Sequence, residues 1–153
     1  MKRARLTAAI ATVLASVSMA APAAALPDGV PAALSEIESS GGRYVWAAAS
    51  LSAADCSGLV SVAQSIAMGQ APHRLGDTHT LLAGRWPGAI PGATPDDAFV
   101  IGVSPSHMVA RLNGVGIESR TRGMPYLIGD QAASPWDRQF TRVYHIDPSL
   151  IGA

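Results

Sequence analysis

Asn113-Gly114 stands between two apolar-rich runs, His107-Met108-Val109-Ala110-Arg111-Leu112 and Val115-Gly116-Ile117-Glu118-Ser119-Arg120. A two-residue hairpin loop needs positive φ at both positions, which Asn and Gly tolerate, and its twist matches that of paired strands. Such a run of residues commits the chain to an antiparallel pair with a face to bury. Phe99-Val100-Ile101-Gly102-Val103 ahead of it reads as a buried strand. Tyr126 to Ile128 and Arg142 to Ile146 read as further short strands.

The first half of the chain has a helical period instead. Leu59, Val62, Ala63, Ile66 and Ala67 recur at helical spacing, with Gly69 as a natural stop. Ser52-x-x-Asp55 resembles a capping box ahead of that run. Ala32 to Ser39 reads as a short helix with Leu34 and Ile37 on one side, broken by Ser40-Gly41-Gly42. Gln70 to Pro95 is rich in Gly and Pro and reads mainly as loop, with a helical turn near Thr80-Leu81-Leu82. Helical pieces followed by a run of strands predict an α+β fold, with a helix packed on an antiparallel sheet.

The N-terminus reads as an export signal. Lys2, Arg3 and Arg5 form a basic start, and Leu6 to Val17 is an apolar stretch too short for an ordinary membrane span. Ala23-Ala24-Ala25 fits a small-x-small cleavage site, so residues 1–25 are expected to be removed, with cleavage after Ala20 or Ala21 and a retained anchor as the alternatives. Residues 26–42 then form a linker with a short helix, and residues 43–153 form one domain. No second segment reaches membrane-spanning length. After removal of residues 1–25, eight basic residues face eleven acidic ones, a net charge of −3 with His neutral. That balance favours neither a nucleic-acid partner nor an anionic membrane surface.

Cys56 is the only cysteine. An exported chain with one cysteine has no internal disulfide, so this thiol is free or pairs with another molecule. It sits in Asp55-Cys56-Ser57-Gly58-Leu59, ahead of the helical run. A helix N-terminus favours thiolate over thiol. The alternative for Cys56 is a buried structural cysteine. A cysteine nucleophile needs a histidine, and that histidine needs a polar partner to orient it. If Asn113-Gly114 is a two-residue turn, Leu112 pairs with Val115, and His107 and Glu118 become diagonal neighbours on one face. A three-residue loop would put Ser119 on that face instead. The two-residue turn is the commoner geometry for Asn-Gly. The alternatives are an ordinary strand histidine and a solvated carboxylate paired with Arg111 or Arg120.

These residues resemble those of the NlpC-type cysteine peptidases, bacterial papain-like enzymes that cut the peptide stems of peptidoglycan. In that family a Tyr-x-Trp-Gly-Gly-like segment leads into Asp-Cys-Ser-Gly-Leu at a helix start, with a histidine on a later strand and a third polar residue on the next. The corresponding features are Tyr44-Val45-Trp46-Ala47-Ala48, Asp55-Cys56-Ser57-Gly58-Leu59, His107 and Glu118. A variant of actinobacterial and phage-tail proteins is closer. Its pattern resembles Gly102-Val103-Ser104-Pro105-Ser106-His107, then Ile117-Glu118-Ser119-Arg120, then Phe140 and Tyr144-His145. The chain departs from the main family in Ala47-Ala48, where Gly-Gly is usual, and in Glu118, where His is commonest.

The resemblance implies a papain-like fold and a Cys56–His107–Glu118 mechanism, with peptidoglycan stem peptide as the substrate. The bond it implies joins γ-D-glutamyl to a diamino acid. It implies that Tyr44 supports the oxyanion or lines the cleft; a core aromatic is the alternative. Asp55 binds a substrate amine or caps the helix, and Ser57 accompanies it at the substrate and oxyanion site. The Cys56 amide is a further oxyanion donor. No cofactor is expected. His73 and His79 flank Asp77 without standard ligand spacing, so no metal site is expected either. The expected location is the cell envelope or beyond, without stable membrane insertion. Two other functions fit the sequence: a non-catalytic wall-binding module that keeps the cleft, and a secreted toxin of the same chemistry with an immunity protein or inhibitor as partner.

Overall fold

The computed structural model describes residues 29–151; the leader expected over residues 1–25 lies outside the described residues. Three helices come first: α1 (Gly29–Ser39), α2 (Cys56–Ala67) and α3 (Thr78–Leu82). Six strands follow: β1 (Ala89–Pro91), β2 (Phe99–Ser104), β3 (His107–Leu112), β4 (Val115–Glu118), β5 (Leu127–Ile128) and β6 (Arg142–Ile146). They form one sheet in the order β1-β6-β2-β3-β4-β5, antiparallel throughout. This is the α+β, papain-like arrangement expected, with the Cys56 helix packed on an antiparallel sheet.

The Asn-Gly loop has two residues. Leu112 pairs with Val115, Arg111 with Gly116 and Ala110 with Ile117. Asn113 and Gly114 take φ of 45° and 85°. That register gives β3 two different faces. Met108, Ala110 and Leu112 enter the main core, which they share with α2. Val109, on the His107 face, packs instead with Ala133 and Phe140. The segment after β5 lies over this second face, where a Cβ on Gly102 would come within 2.6 Å of the Pro135 Cα. Glycine in β2 therefore lets the covering segment sit on the sheet. A second tight turn, Pro105-Ser106, joins β2 to β3 and pairs Ser104 with His107.

The α2 helix is buried more completely than an amphipathic reading implies: every residue from Ser57 to Ala67 is buried. Leu59, Val62, Ala63, Ile66 and Ala67 enter the core as their spacing predicts. The polar side chains of the helix find partners within it or across the core. The Ser61 and Ser65 hydroxyls donate to the Ser57 and Ser61 carbonyls at 2.8 and 2.7 Å. Gln64 donates to the Pro87 carbonyl and accepts from the Trp86 indole, both at 2.7 Å. Among the described residues no buried side-chain polar atom lacks a partner. The helix ends at Gly69, φ 70°, where the Gly69 and Gln70 amides donate to the Ile66 and Ser65 carbonyls, both at 2.8 Å. This is a Schellman close, as the glycine predicts.

The start of α2 differs from the expected capping box. Asp55 is itself the N-cap, with extended backbone, and not the third residue of a helix begun at Ser52. Its carboxylate reaches the Gly58 amide at 2.7 Å, which Ser52 cannot do from its exposed turn. Helix α1 also starts earlier than Ala32. Pro31 sits in its first turn, where its missing N–H costs nothing. Val30, Ala33 and Ile37 are buried, and α1 packs on α2. Gly29 lies against the carbonyls of Ala67 and Ile151, at the end of α2 remote from Cys56. Strand β1 was not legible in the Gly- and Pro-rich stretch; pairing to β6 makes it a strand. No helix among the described residues is long and apolar enough to cross a membrane.

Candidate active site

Cys56 is the first residue of α2, so the amides of the opening turn have no partner within the helix. The Cys56 and Ser57 amides, and the Met108 amide of β3, each favour the ionised form of the Cys56 thiol. Helix α2 packs on β3, the strand that begins with His107. Ser119 fastens this junction from β4's end: its buried hydroxyl donates to the Ala54 carbonyl at 2.7 Å. Ser119 points to the helix side, and Glu118 takes the histidine side. Gly58 explains its own place in the motif. A Cβ there would run into the Ala48 carbonyl and sit 3.0 Å from both Asp55 Oδ1 and an Arg74 nitrogen.

The electrostatics at the sulfur differ from the sequence expectation. Burial pushes the Cys56 thiol up from its ordinary value, and the neighbouring Asp55 carboxylate pushes it further. The Met108, Ser57 and Cys56 amides pull it down without reversing the shift. The helix start does favour thiolate, but the acidic cap and the desolvation outweigh it. The net shift favours the thiol over the thiolate.

His107 Nε2 lies 2.7 Å from Glu118 Oε1. The carboxylate holds the proton on Nε2 and leaves the Nδ1 lone pair free, and Nδ1 has no hydrogen-bond partner among the described residues. The ring stacks on Phe140, centroids 6.0 Å apart and planes 26° apart. Its side chain keeps 19% exposure. No hydrogen bond joins His107 to Cys56 in this resting arrangement.

Glu118 is 1% exposed. Arg120 grips both its oxygens, Nε to Oε1 and Nη2 to Oε2, each at 2.7 Å, and the Ala133 amide donates to Oε2 at 2.8 Å. Burial pushes the Glu118 carboxyl up; Arg120, Ala133 and His107 together outweigh it and hold the carboxyl below its usual range. Glu118 touches the histidine and also pairs with Arg120, but it is buried, unlike the solvated carboxylate of the alternative reading.

Asp55 and Ser57 are occupied by the protein itself. Asp55 Oδ1 accepts from the Gly58 amide at 2.7 Å and the Ser57 hydroxyl at 3.2 Å. Its Oδ2 accepts from the Ala47 amide and from Arg74 Nη2, both at 2.9 Å. Arg74 also donates to Ser57 Oγ at 3.0 Å and to the Ala48 carbonyl at 2.7 Å. The Asp55 carboxylate thus both caps the helix and pairs with a guanidinium. Tyr44 is half-buried. Burial raises its pKa, and the Cys56 and Asp55 charges add to this. Its hydroxyl has no hydrogen-bond partner among the described residues.

Cys56 opens into a cleft of about 540 Å³, lined by Trp46, Ala47, Arg74, Thr78, His79, Pro105 and Ser106 among others. The Thr78 hydroxyl donates to the Pro105 carbonyl at 3.0 Å, tying α3 to the turn that delivers His107. Ala47 has φ 60°, a left-handed conformation that favours glycine. Sequence reasoning missed Arg74, because it acts across 19 residues with no local pattern. It also gave Phe140 no role. Among the described residues no three potential metal-binding side chains converge.

No protein-family model and no curated protein matches the chain. Among solved structures it is similar to the NlpC/p60 domain of the peptidoglycan hydrolase SagA, with a TM-score of 0.50 and 20% sequence identity. The match covers 77% of this chain and 97% of that domain. The likeness is one of fold.

Proposed function

We propose that this chain is a secreted cysteine endopeptidase that hydrolyses an amide bond in peptidoglycan stem peptides, with Cys56, His107 and Glu118 as its catalytic residues. One observation carries the chemistry. His107 is held by its Nε2 on a buried carboxylate, with Nδ1 free, at the start of β3, the strand that packs on the helix opened by Cys56.

In this reading His107 Nδ1 takes the thiol proton as sulfur attacks the amide carbonyl carbon. The Cys56 and Ser57 amides, with the Tyr44 hydroxyl, receive the oxyanion. The tetrahedral intermediate collapses to a thioester, and His107 returns the proton to the departing amine. Water, deprotonated by the same nitrogen, then releases the acid and the thiol. Glu118 stabilises the imidazolium in each half. Peptidoglycan as substrate is supported by the fold shared with a peptidoglycan hydrolase domain and by the motifs Tyr44-Val45-Trp46 and Asp55 to Leu59. The γ-D-glutamyl to diamino acid bond and kinship with the actinobacterial and phage-tail variant rest on the sequence patterns alone, and export rests on residues 1–25.

Digestion of purified peptidoglycan by residues 26–153, with Cys56→Ala alongside and fragments read by mass spectrometry, tests the proposal. New stem-peptide fragments from the wild type alone are expected, and their masses identify the bond. No fragments from folded, reduced wild type would refute it. A non-catalytic wall-binding module is favoured by one feature, the left-handed Ala47 in the cleft wall; it predicts peptidoglycan binding unaltered by Cys56→Ala and no fragments.

A further inference from the structure

We propose that a second depression, across Trp46 from the Cys56 cleft, is a subsite for a substrate carboxylate, with Arg43 and Arg122 as its specificity-determining residues. The depression is about 330 Å³ and is lined by Arg43, Tyr44, Val45, Trp46, Arg122 and Gly123. Trp46 belongs to both walls, so one ligand can span the two. No acidic side chain lines it. Among the described residues neither arginine has a salt-bridge partner; the three ion pairs are Arg74–Asp55, His107–Glu118 and Arg120–Glu118.

The scaffold under these side chains is fixed. The Tyr44 amide donates to the Met124 carbonyl at 2.8 Å, and the Gly123 amide to the Tyr44 carbonyl at 3.0 Å. On its other side the Arg43 carbonyl accepts from the Ala54 amide at 3.2 Å, two residues before Cys56. The segment that carries Arg43 is thus bonded both to the Arg122 turn and to the approach to the nucleophile. The Arg122 charge reaches Tyr44, whose ring in turn feels the Cys56 charge. Trp46, 70% exposed, and Val45, 41% exposed, supply an apolar shelf beside the two cations. The chemistry that fits is a peptide residue with an aliphatic stem and a free carboxylate, one or two residues from the scissile bond.

This inference rests on the peptidase reading for its kinetic test, and a binding arm keeps the two apart. Two stem peptides are compared, identical except that one carries a free side carboxylate and the other its carboxamide. The expected kcat/KM ratio favours the carboxylate by about tenfold at low salt. Arg43→Gln/Arg122→Gln should bring that ratio close to one, through KM, while the exposed Arg138→Gln control keeps it. A ratio near one in the wild type, or a ratio preserved in the double variant, overturns the subsite. In the binding arm, calorimetry with Cys56→Ala measures the same pair of peptides. Preference for the carboxylate there, without turnover in the wild type, would sustain the subsite and sink the peptidase reading.

Discussion

Arg120→Met tests the idea that catalysis depends on a buried carboxylate kept ionised from outside. Glu118 is 1% exposed, and four of its contacts are short: His107, two from Arg120, and the Ala133 amide. Removing the guanidinium deletes two charge-assisted hydrogen bonds, each worth about 1.5–3 kcal/mol when buried. The Arg120 side chain is 51% exposed, so solvent already screens the pair and water can replace part of it. The expected loss of stability at pH 7 is about 2 kcal/mol, a fall in Tm of roughly 6–10 °C. The pH dependence follows from the direction of the shift. A carboxyl depressed in the folded state contributes stability above its unfolded pKa, about 4.3, and loses it as pH falls through the folded value. Without Arg120 the opposing influence of burial is no longer outweighed to the same degree, and the folded value rises. Acid unfolding should therefore begin at higher pH than in the wild type, and the acidic limb of the hydrolysis profile should move the same way. Urea melts from pH 3 to 8, paired with kcat/KM across the same range, measure both. Arg120→Lys should recover only part of each effect, since an ammonium cannot grip both oxygens. An unshifted acidic limb in Arg120→Met would refute the argument that Arg120 holds Glu118 ionised for His107.

Three further outcomes are expected. Asp55→Asn removes the charge that helps push the Cys56 thiol up, so iodoacetamide should label Cys56 faster at pH 7 than in the wild type; an equal or slower rate in a folded variant contradicts the electrostatic account. Gly58→Ala forces the Ala48 carbonyl away from the helix start and should cost about 2–3 kcal/mol, read as a lowered urea midpoint with turnover largely lost. Ala47→Gly relieves a left-handed alanine, φ 60°, worth about 1 kcal/mol, less about 0.5 kcal/mol for a freer unfolded chain; a small rise in Tm is expected, and a fall would show that the conformation carries no strain.

What the sequence made legible was local or periodic. The Asn113-Gly114 turn dictated its own register, and that register put Glu118 on the His107 face and Ser119 opposite. The spacing of Leu59, Val62 and Ile66 located α2, and Gly69 located its end. Ser52 and Asp55 are both good caps, and the approach of the Gly58 amide to the Asp55 carboxylate decides for Asp55. Strand β1 has no strand composition and exists because β6 offers it an edge. Arg74 was invisible for a related reason. Its partners, Asp55, Ser57 and Ala48, are set by how the loop before α3 folds back, and no spacing in the chain encodes that contact.

The two carboxylates near the thiol pose opposite electrostatic problems, and each is met by an arginine. Asp55 is needed to hold the helix start, yet its charge opposes ionisation of the adjacent sulfur. Arg74 binds it at 2.9 Å and offsets part of that charge. Glu118 is needed as an anion, yet burial would neutralise it, and Arg120 with the Ala133 amide keeps it charged. In the proposed mechanism the Cys56 thiol therefore rests protonated, and Glu118 orients the His107 ring. In that mechanism negative charge forms on sulfur as His107 gains the proton, and the new cation sits against Glu118. Thiolate formation is thereby tied to proton transfer, and a protonated thiol in the free protein is the expected resting state of a general-base mechanism.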